Sequence, residues 1–294
     1  MKITILMTPG LDSYITYNKF LFDKYFICDF LRISSLNDAE INFVYFNLNS
    51  KYSKIEMDYI TKYYTNEKYP IDIVNMINIK DIEKSDANVP NRNILLVTMA
   101  QSIYDSDVII INGVKDDRAS DNNKEIFDNV SKILTKSANK PVNVTSLFWE
   151  DEKYNLVSKL NYCHIPGTSH EIVESTFSCY YPLEEEKLNN IVVFTPEGEI
   201  RETYSTYTKE CGNCPACYRK ACALTALEIF IPLDNELFVV NTTIKLLYEI
   251  PHTNNMRRFS INKYYNMYKK VCMELENINN ARKIPLYNFQ RVAM

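Results

Sequence analysis

Along the first 160 residues the spacing of apolar and polar positions switches repeatedly between the strand period and the helix period. "ITILM" (3–7) is a short apolar run that predicts a buried strand, and a helical stretch follows from about Ser13. "INFVYFNL" (41–48) is apolar on both faces, as a central parallel strand should be. In "KYSKIEMDYITKYY" (51–64), Tyr52, Ile55, Tyr59 and Ile60 recur at helical spacing. "IDIVNMI" (71–77) predicts a third strand, "NILLVTMAQSIY" (93–104) a largely buried helix, and "DVIIING" (107–113) a fourth strand that stops at Gly113. "NKEIFDNVSKILTK" (123–136) is again helical, and "VNVTSLF" (142–148) alternates as a fifth strand. Strands interleaved with helices predict an α/β fold, a doubly wound parallel sheet of five strands. Ligands of such sheets bind beyond the carboxyl ends of the strands, where strand order reverses. The turns after residues 7, 48 and 113 should therefore surround any active site.

Beyond residue 180 the rhythm changes. "NIVVFTPEGEIRETY" (190–204) predicts a hairpin turning at Pro196-Glu197-Gly198. A cysteine-rich stretch follows, then a helix over about 214–230 and two more near 235–249 and 258–278. The expected organisation is an α/β domain over 1–160, a cysteine-bearing segment with an inserted hairpin over 161–230, and a helical extension over 231–294. The hairpin and the last helices are expected to be surface additions that build an oligomer interface or a lid, which leaves room for a homodimer.

Bulk properties narrow the function. The chain of 294 residues suffices for one large domain, or for one domain with an appendage. A net charge of -4 and a pI near 5.6 argue against an electrostatic nucleic-acid binder. No run of about 18 apolar residues is present to span a bilayer. The apolar start of "MKITILMTPGLDS" runs on into a polar turn, as a strand does and a signal peptide does not. Eight unevenly spaced cysteines fit a reducing cytoplasm better than a secreted disulfide framework. A cytoplasmic protein acting on small molecules is the expectation.

Two stretches carry candidate chemistry. "TPGLDS" (8–13) turns sharply from the first strand into a helix, and such a turn offers backbone N–H groups to an anion. Asp12 and Ser13 stand at the helix start, where they could equally serve as ordinary caps. "ECGNCPACYRKACAL" (210–224) places Cys211, Cys214 and Cys217 three residues apart. A tetrahedral ion needs a fourth ligand, and Cys179 in "STFSCYYP" lies just before the hairpin that leads back to Cys211. Cys222 would point away from this knuckle, and Cys163 beside His164 has no matching pair. The set Cys179, Cys211, Cys214 and Cys217 fits a closed zinc site. The same four thiolates would also accept an iron–sulfur cluster, or form a metal-free helix start. In "VPNRN" (89–93), Arg92 sits in the first turn of a helix against the macrodipole, which hints at an anionic partner, while Asn91 could be only a cap.

Together these stretches resemble the 7-cyano-7-deazaguanine synthase family of PP-loop ATP pyrophosphatases. "TPGLDS" resembles its SGGxDS loop, "VPNRN" its VPxRN helix start, and "INGV" (111–114) its Gly-Val strand end. "TFSCY" (176–180) and "CGNCPACYRKACAL" (211–224) match its paired cysteine segments in the same order. The resemblance implies an ATP-dependent ligase that turns 7-carboxy-7-deazaguanine and ammonia into 7-cyano-7-deazaguanine through an acyl-adenylate, with ATP, Mg²⁺ and Zn²⁺. It also implies that Thr8, Gly10, Leu11, Asp12 and Ser13 line the pyrophosphate loop, with Arg92 and Asn93 nearby. Asp12 and Ser13 become the catalytic candidates, Cys179, Cys211, Cys214 and Cys217 the zinc ligands, and Arg219 their neighbour. Four features depart from the family: Pro9 stands where its loop has glycine, "KDDRASDNNKEIF" (115–127) keeps only scattered acids where it has an acidic Tyr-Pro-Asp stretch, the gap from Cys179 to Cys211 is longer, and the last 60 or so residues lie outside the match. Transfer of the adenylated acid to another acceptor, or binding of a nucleotide, a deazapurine or a partner protein without turnover, is the alternative.

Overall fold

A computed structural model describes residues 1–75, 89–115, 122–158, 160, 169–250 and 255–281. Five parallel strands, β1 (Lys2–Leu6), β2 (Glu40–Asn47), β3 (Ile71–Asn75), β4 (Val108–Ile110) and β5 (Asn143–Thr145), lie in the order β3-β2-β1-β4-β5. The order reverses between β1 and β4, so the α/β doubly wound sheet expected from the sequence is present with its switch point at the end of β1.

Alternation along the strands divides the core into two layers. Phe43 and Tyr45 of β2 face α1 (Leu11–Phe22), α2 (Lys24–Leu31) and α3 (Ser53–Tyr63), in the cluster that holds Tyr14, Tyr17, Phe20, Ile27 and Ile60. Val44 and Phe46 join Val97 and Ala100 of α4 (Arg92–Tyr104) with Phe127, Val130 and Leu134 of α5 (Lys124–Ala138). A strand buried on both sides cannot afford polar side chains, which is why β2 reads as continuously apolar. Tyr17, Phe20 and Tyr69 meet Phe43 edge to face, at centroid distances of 5.1, 5.3 and 5.7 Å. Asn123 caps α5 by accepting from the Ile126 N–H at 3.0 Å.

The last two strands of the sheet are shorter than the apolar runs. β4 stops at Ile110 because the Asn112 side chain turns to bind the β1 loop. β5 stops at Thr145 because Ser146 Oγ donates to the Gly113 carbonyl at 2.6 Å and the chain bends. Met76 and Ile77, the expected end of the third strand, lie outside the described residues.

After α6 (Lys153–Ser158) and α7 (Ser169–Glu174), the predicted hairpin forms from β6 (Lys187–Phe194) and β7 (Ile200–Thr208). It is not a lone hairpin. The helix expected to run to 230 ends as α8 (Pro215–Leu224), and a 3-10 turn leads to Glu228 in the left-handed region at φ 59°. The reversal delivers Ile229 and Phe230 as β8, antiparallel to β6, and completes a three-stranded sheet.

The C-terminal helices α9 (Glu236–Glu249) and α10 (Asn255–Ala281) also differ from expectation. They belong to the core rather than lying on its surface. Tyr264 of α10 is 0% exposed, stacks on Phe230, meets Tyr218 edge to face, and donates its hydroxyl to the Ile231 carbonyl at 3.0 Å. Arg258 Nη1 donates to the carbonyls of Leu247 and Ile250 at 2.5 and 2.9 Å and so closes the exposed end of α9. No described helix is long and apolar enough to cross a membrane.

Candidate functional site

The β1 strand ends beside β2, where the Met7 N–H donates to the Val44 carbonyl at 2.8 Å, and the chain then turns at 8–10 into α1. Gly10 is the N-cap residue, with extended backbone and no side-chain cap, so neither Asp12 nor Ser13 plays the capping role. The intrahelical ladder begins with Tyr14 N–H to the Gly10 carbonyl at 3.0 Å. The N–H groups of Leu11, Asp12 and Ser13 precede that ladder at the positive end of the helix dipole.

Ser13 is the keystone of this turn. It is 1% exposed, and its Oγ accepts from the Thr8 N–H at 3.1 Å and from Asn112 Nδ2 at 2.8 Å. With both lone pairs occupied, the Ser13 proton goes to Thr8 Oγ1, 3.1 Å away. Thr8 Oγ1 also accepts from the Gly10 N–H at 3.3 Å, which leaves the proton of this exposed hydroxyl as a donor to a ligand. Asn112, one residue short of Gly113 beyond β4, additionally donates to the Leu6 carbonyl at 2.5 Å and accepts from Thr16 at 2.6 Å. The end of β4 thus locks the loop from across the switch point. Asp12 holds Lys153 of α6 in an ion pair of 2.8 Å, both side chains partly buried. Arg92 and Asn93 open α4 on the same carboxyl edge of the sheet, after Asn91 in the left-handed region at φ 58°.

The second centre is the thiol cluster. The sulfurs of Cys179, Cys211, Cys214 and Cys217 all lie within 4.8 Å of one another. Cys222 is buried elsewhere on α8, where burial pushes its thiol up, while Cys163 and His164 lie outside the described residues. Backbone N–H groups point at three of the four sulfurs. Cys211 and Tyr181 donate to Cys179 at 3.2 and 3.3 Å, Asn213 to Cys211 at 3.4 Å, and Cys217 to Cys214 at 3.5 Å. Such donors favour thiolates. Hydrogen bonds from Cys179, Cys211 and Cys217 depress the Cys214 thiol, whereas sharing protons with Cys211 raises Cys179 and sharing with Cys179 raises Cys217. Four sulfurs this close cannot all ionise alone, and a bound dication resolves the conflict. The donor set therefore fits a tetrahedral zinc, whose ordinary Zn–S distance is about 2.3 Å.

The knuckle is shaped for this packing. Gly212 has φ +69°, and a Cβ there would stand 3.0 Å from both Asp234 Oδ1 and Lys187 Nζ, which form an ion pair with each other. Below the sulfurs runs a buried ion pair that the sequence reading missed. Lys220 Nζ contacts Glu210 Oε2 at 3.0 Å and donates to the Thr176 carbonyl at 2.6 Å, and the Ser178 N–H donates to Glu210 Oε1 at 2.7 Å. The Cys179 arm is thereby tied to the knuckle twice, through sulfur and through charge. The same arm reaches the loop, since the Phe177 N–H donates to the Pro9 carbonyl at 2.8 Å.

The sequence-predicted Thr8, Gly10, Leu11, Asp12 and Ser13 are thus gathered in one turn, and the four cysteines in one cluster, with residues 176–179 running between them. Asn112, Lys153, Glu210 and Lys220 went unread; the only prior signal was Asn112's place at the end of a strand on the switch point. Comparison with known protein families gives no match, and comparison with curated proteins gives none either.

Proposed function

We propose that the chain binds ATP at the β1–α1 turn and adenylates a small carboxylic acid, which it then joins to an amine. The reaction it resembles converts 7-carboxy-7-deazaguanine and ammonia to 7-cyano-7-deazaguanine. The observation that carries this reading is the uncapped N-terminus of α1 at the reversal of strand order, with its loop braced by Ser13 and Asn112. N–H groups of the first helical turn and the Thr8 hydroxyl would hold the pyrophosphate portion of ATP. Attack of the acid's carboxylate oxygen on the α-phosphorus breaks the bond to pyrophosphate. Ammonia then takes the acyl group and AMP leaves, giving the amide. A second ATP adenylates the amide oxygen, releasing a second pyrophosphate, and departure of that oxygen with AMP leaves the nitrile. Asp12, held by Lys153, would orient its neighbours and balance charge, and Ser13 would position the loop rather than touch substrate. Zinc at the four cysteines would supply folding energy and fix the 176–179 arm against the loop.

One observation favours nucleotide binding without turnover. Pro9 has no N–H, so the turn offers one donor fewer to phosphate than a glycine loop. Pyrophosphate release with ATP, Mg²⁺ and 7-carboxy-7-deazaguanine, with and without ammonium, separates the readings. Release that depends on the acid and on Asp12 supports adenylation. ATP binding with no release, unchanged in Asp12→Ala, overturns it.

A further inference from the structure

Helix α9 carries two stripes of the same spacing on opposite sides. Val239, Thr243, Leu246 and, at its C-cap, Ile250 are buried and form its inner side. Thr243, the polar member of that stripe, shares a hydrogen bond of 2.6 Å with the buried Tyr218 hydroxyl. Leu237, Asn241, Ile244 and Tyr248 repeat the spacing two residues earlier in the chain, which is about 200° around the helix. This outer stripe lies open. Leu237 is 71% exposed, Ile244 63% and Tyr248 91%, so the described residues leave it uncovered. A surface helix ordinarily sets charged and polar residues opposite its buried side. Here a leucine, an isoleucine and a tyrosine stand there, over about 16 Å of helix. The helix that presents them is fixed at both ends. Asn235 caps the first turn by accepting from the Phe238 N–H at 3.1 Å, and Arg258 closes the last.

We propose that the outer stripe of α9 is a homodimer seam, in which α9 of a second copy lies antiparallel to it across a two-fold axis between Asn241 and Ile244. Leu237 of each copy then packs on the other copy's Tyr248, and Ile244 on the other copy's Asn241. Successive steps of four, three and four residues are those of a knobs-into-holes seam. Three features select this occupant. The first is charge. Lys245, 69% exposed, borders the stripe. A parallel pair would set the two lysines side by side, whereas an antiparallel pair separates them along the axis and places opposite helix dipoles together. The second is closure, because two-fold pairing uses the whole stripe of both copies and association ends at two. The third is Asn241, a polar group inside an apolar seam, which fixes register in helix pairs at a cost in stability. A seam this narrow falls well short of the roughly 20–30 residues a side of a standard interface, so the dimer should be weak, with a Kd on the order of micromolar. The inference requires neither ATP nor adenylation.

Sedimentation velocity of the full chain over about 1–200 μM tests the seam, and should show a reversible monomer–dimer equilibrium. Ile244→Glu should weaken the dimer about tenfold or more. Its thermal midpoint at monomeric dilution should be unchanged, because the side chain stands on the open side of α9. Leu237→Glu and Tyr248→Lys should each act in the same way. Combined in one chain, the two should restore a dimer that salt weakens, since the antiparallel seam sets each introduced acid against the other copy's introduced base. A parallel seam would oppose like charges, so a double variant that stays monomeric overturns the arrangement. A parent that is monomeric throughout, or a dimer untouched by Ile244→Glu, overturns the seam itself. A parent that dimerises only after removal of residues 282–294 would assign the stripe to the chain's own tail, and that too overturns the proposal.

Discussion

Pro9 lacks one backbone hydrogen-bonding group and uses the other. As an imino acid it gives no N–H to a phosphate, but its carbonyl still receives the Phe177 N–H. A hydrogen bond to a charged group is worth about 1.5–3 kcal/mol, so under the proposed function a missing donor would weaken nucleotide binding without abolishing it. Pro9→Gly should therefore leave pyrophosphate release unchanged or raise it, whereas Asp12→Ala should lower it about tenfold or more. Ser13→Ala should do both harm to activity and harm to stability. It removes the acceptor of the Thr8 N–H and of Asn112, a cost of roughly 1–3 kcal/mol in a buried site, visible as a lower thermal midpoint. An activity loss in Ser13→Ala with an unmoved midpoint would mean that its hydroxyl meets substrate instead. The residues of this loop were legible because a sharp strand-to-helix turn leaves a short, unusual string. Asn112 and Lys153 were not, because side chains that act across 99 and 141 positions leave no local pattern.

Elements were legible where the period was long and failed where tertiary contacts ended them. The five parallel strands appear in the predicted places, but β4 and β5 were cut short by the side-chain bonds of Asn112 and Ser146. The helix expected over 214–230 gave way to β8 because β6 offered a pairing edge, which no helical propensity can reveal. The knuckle makes its own predictions. Cys214→Ser should lose stoichiometric zinc by elemental analysis and lower the thermal midpoint, and full zinc retention would reject the ligand set. Zinc loading should also fall as pH drops, because the thiolates that would hold the metal are protonated in acid. Lys220→Met should cost about 3–5 kcal/mol, since Glu210 would be left charged and buried, and the double variant with Glu210→Gln should recover much of it. Chemical denaturation of Lys220→Met, Glu210→Gln and the double variant measures this directly.

At the scale of the whole molecule, apolar packing joins segments far apart in the chain. One apolar cluster runs from Phe43 of the parallel sheet through Tyr218 of α8 to Tyr264 of α10. Removing residues 255–294 should consequently leave a protein that fails to unfold cooperatively, not a trimmed domain. A sharp thermal transition near the full-length midpoint would show α10 to be dispensable. Three packed aromatic rings, spread over residues 218–264, made this connection, and their spacing in the sequence is silent about it.

The hydrogen bond from Phe177 to Pro9 has a thermodynamic corollary. The arm that carries Cys179 also holds the turn that would receive nucleotide, so the two ligands would act on one shared segment. If metal binding raises the affinity for nucleotide by some factor, nucleotide binding must raise the affinity for the metal by the same factor. Chelator-competition titrations should thus find zinc held more tightly when ATP is present, and ATP bound more weakly once the metal is stripped. Equality of the two ratios is required by linkage, and a ratio of one in both would mean that the strap between the centres transmits nothing.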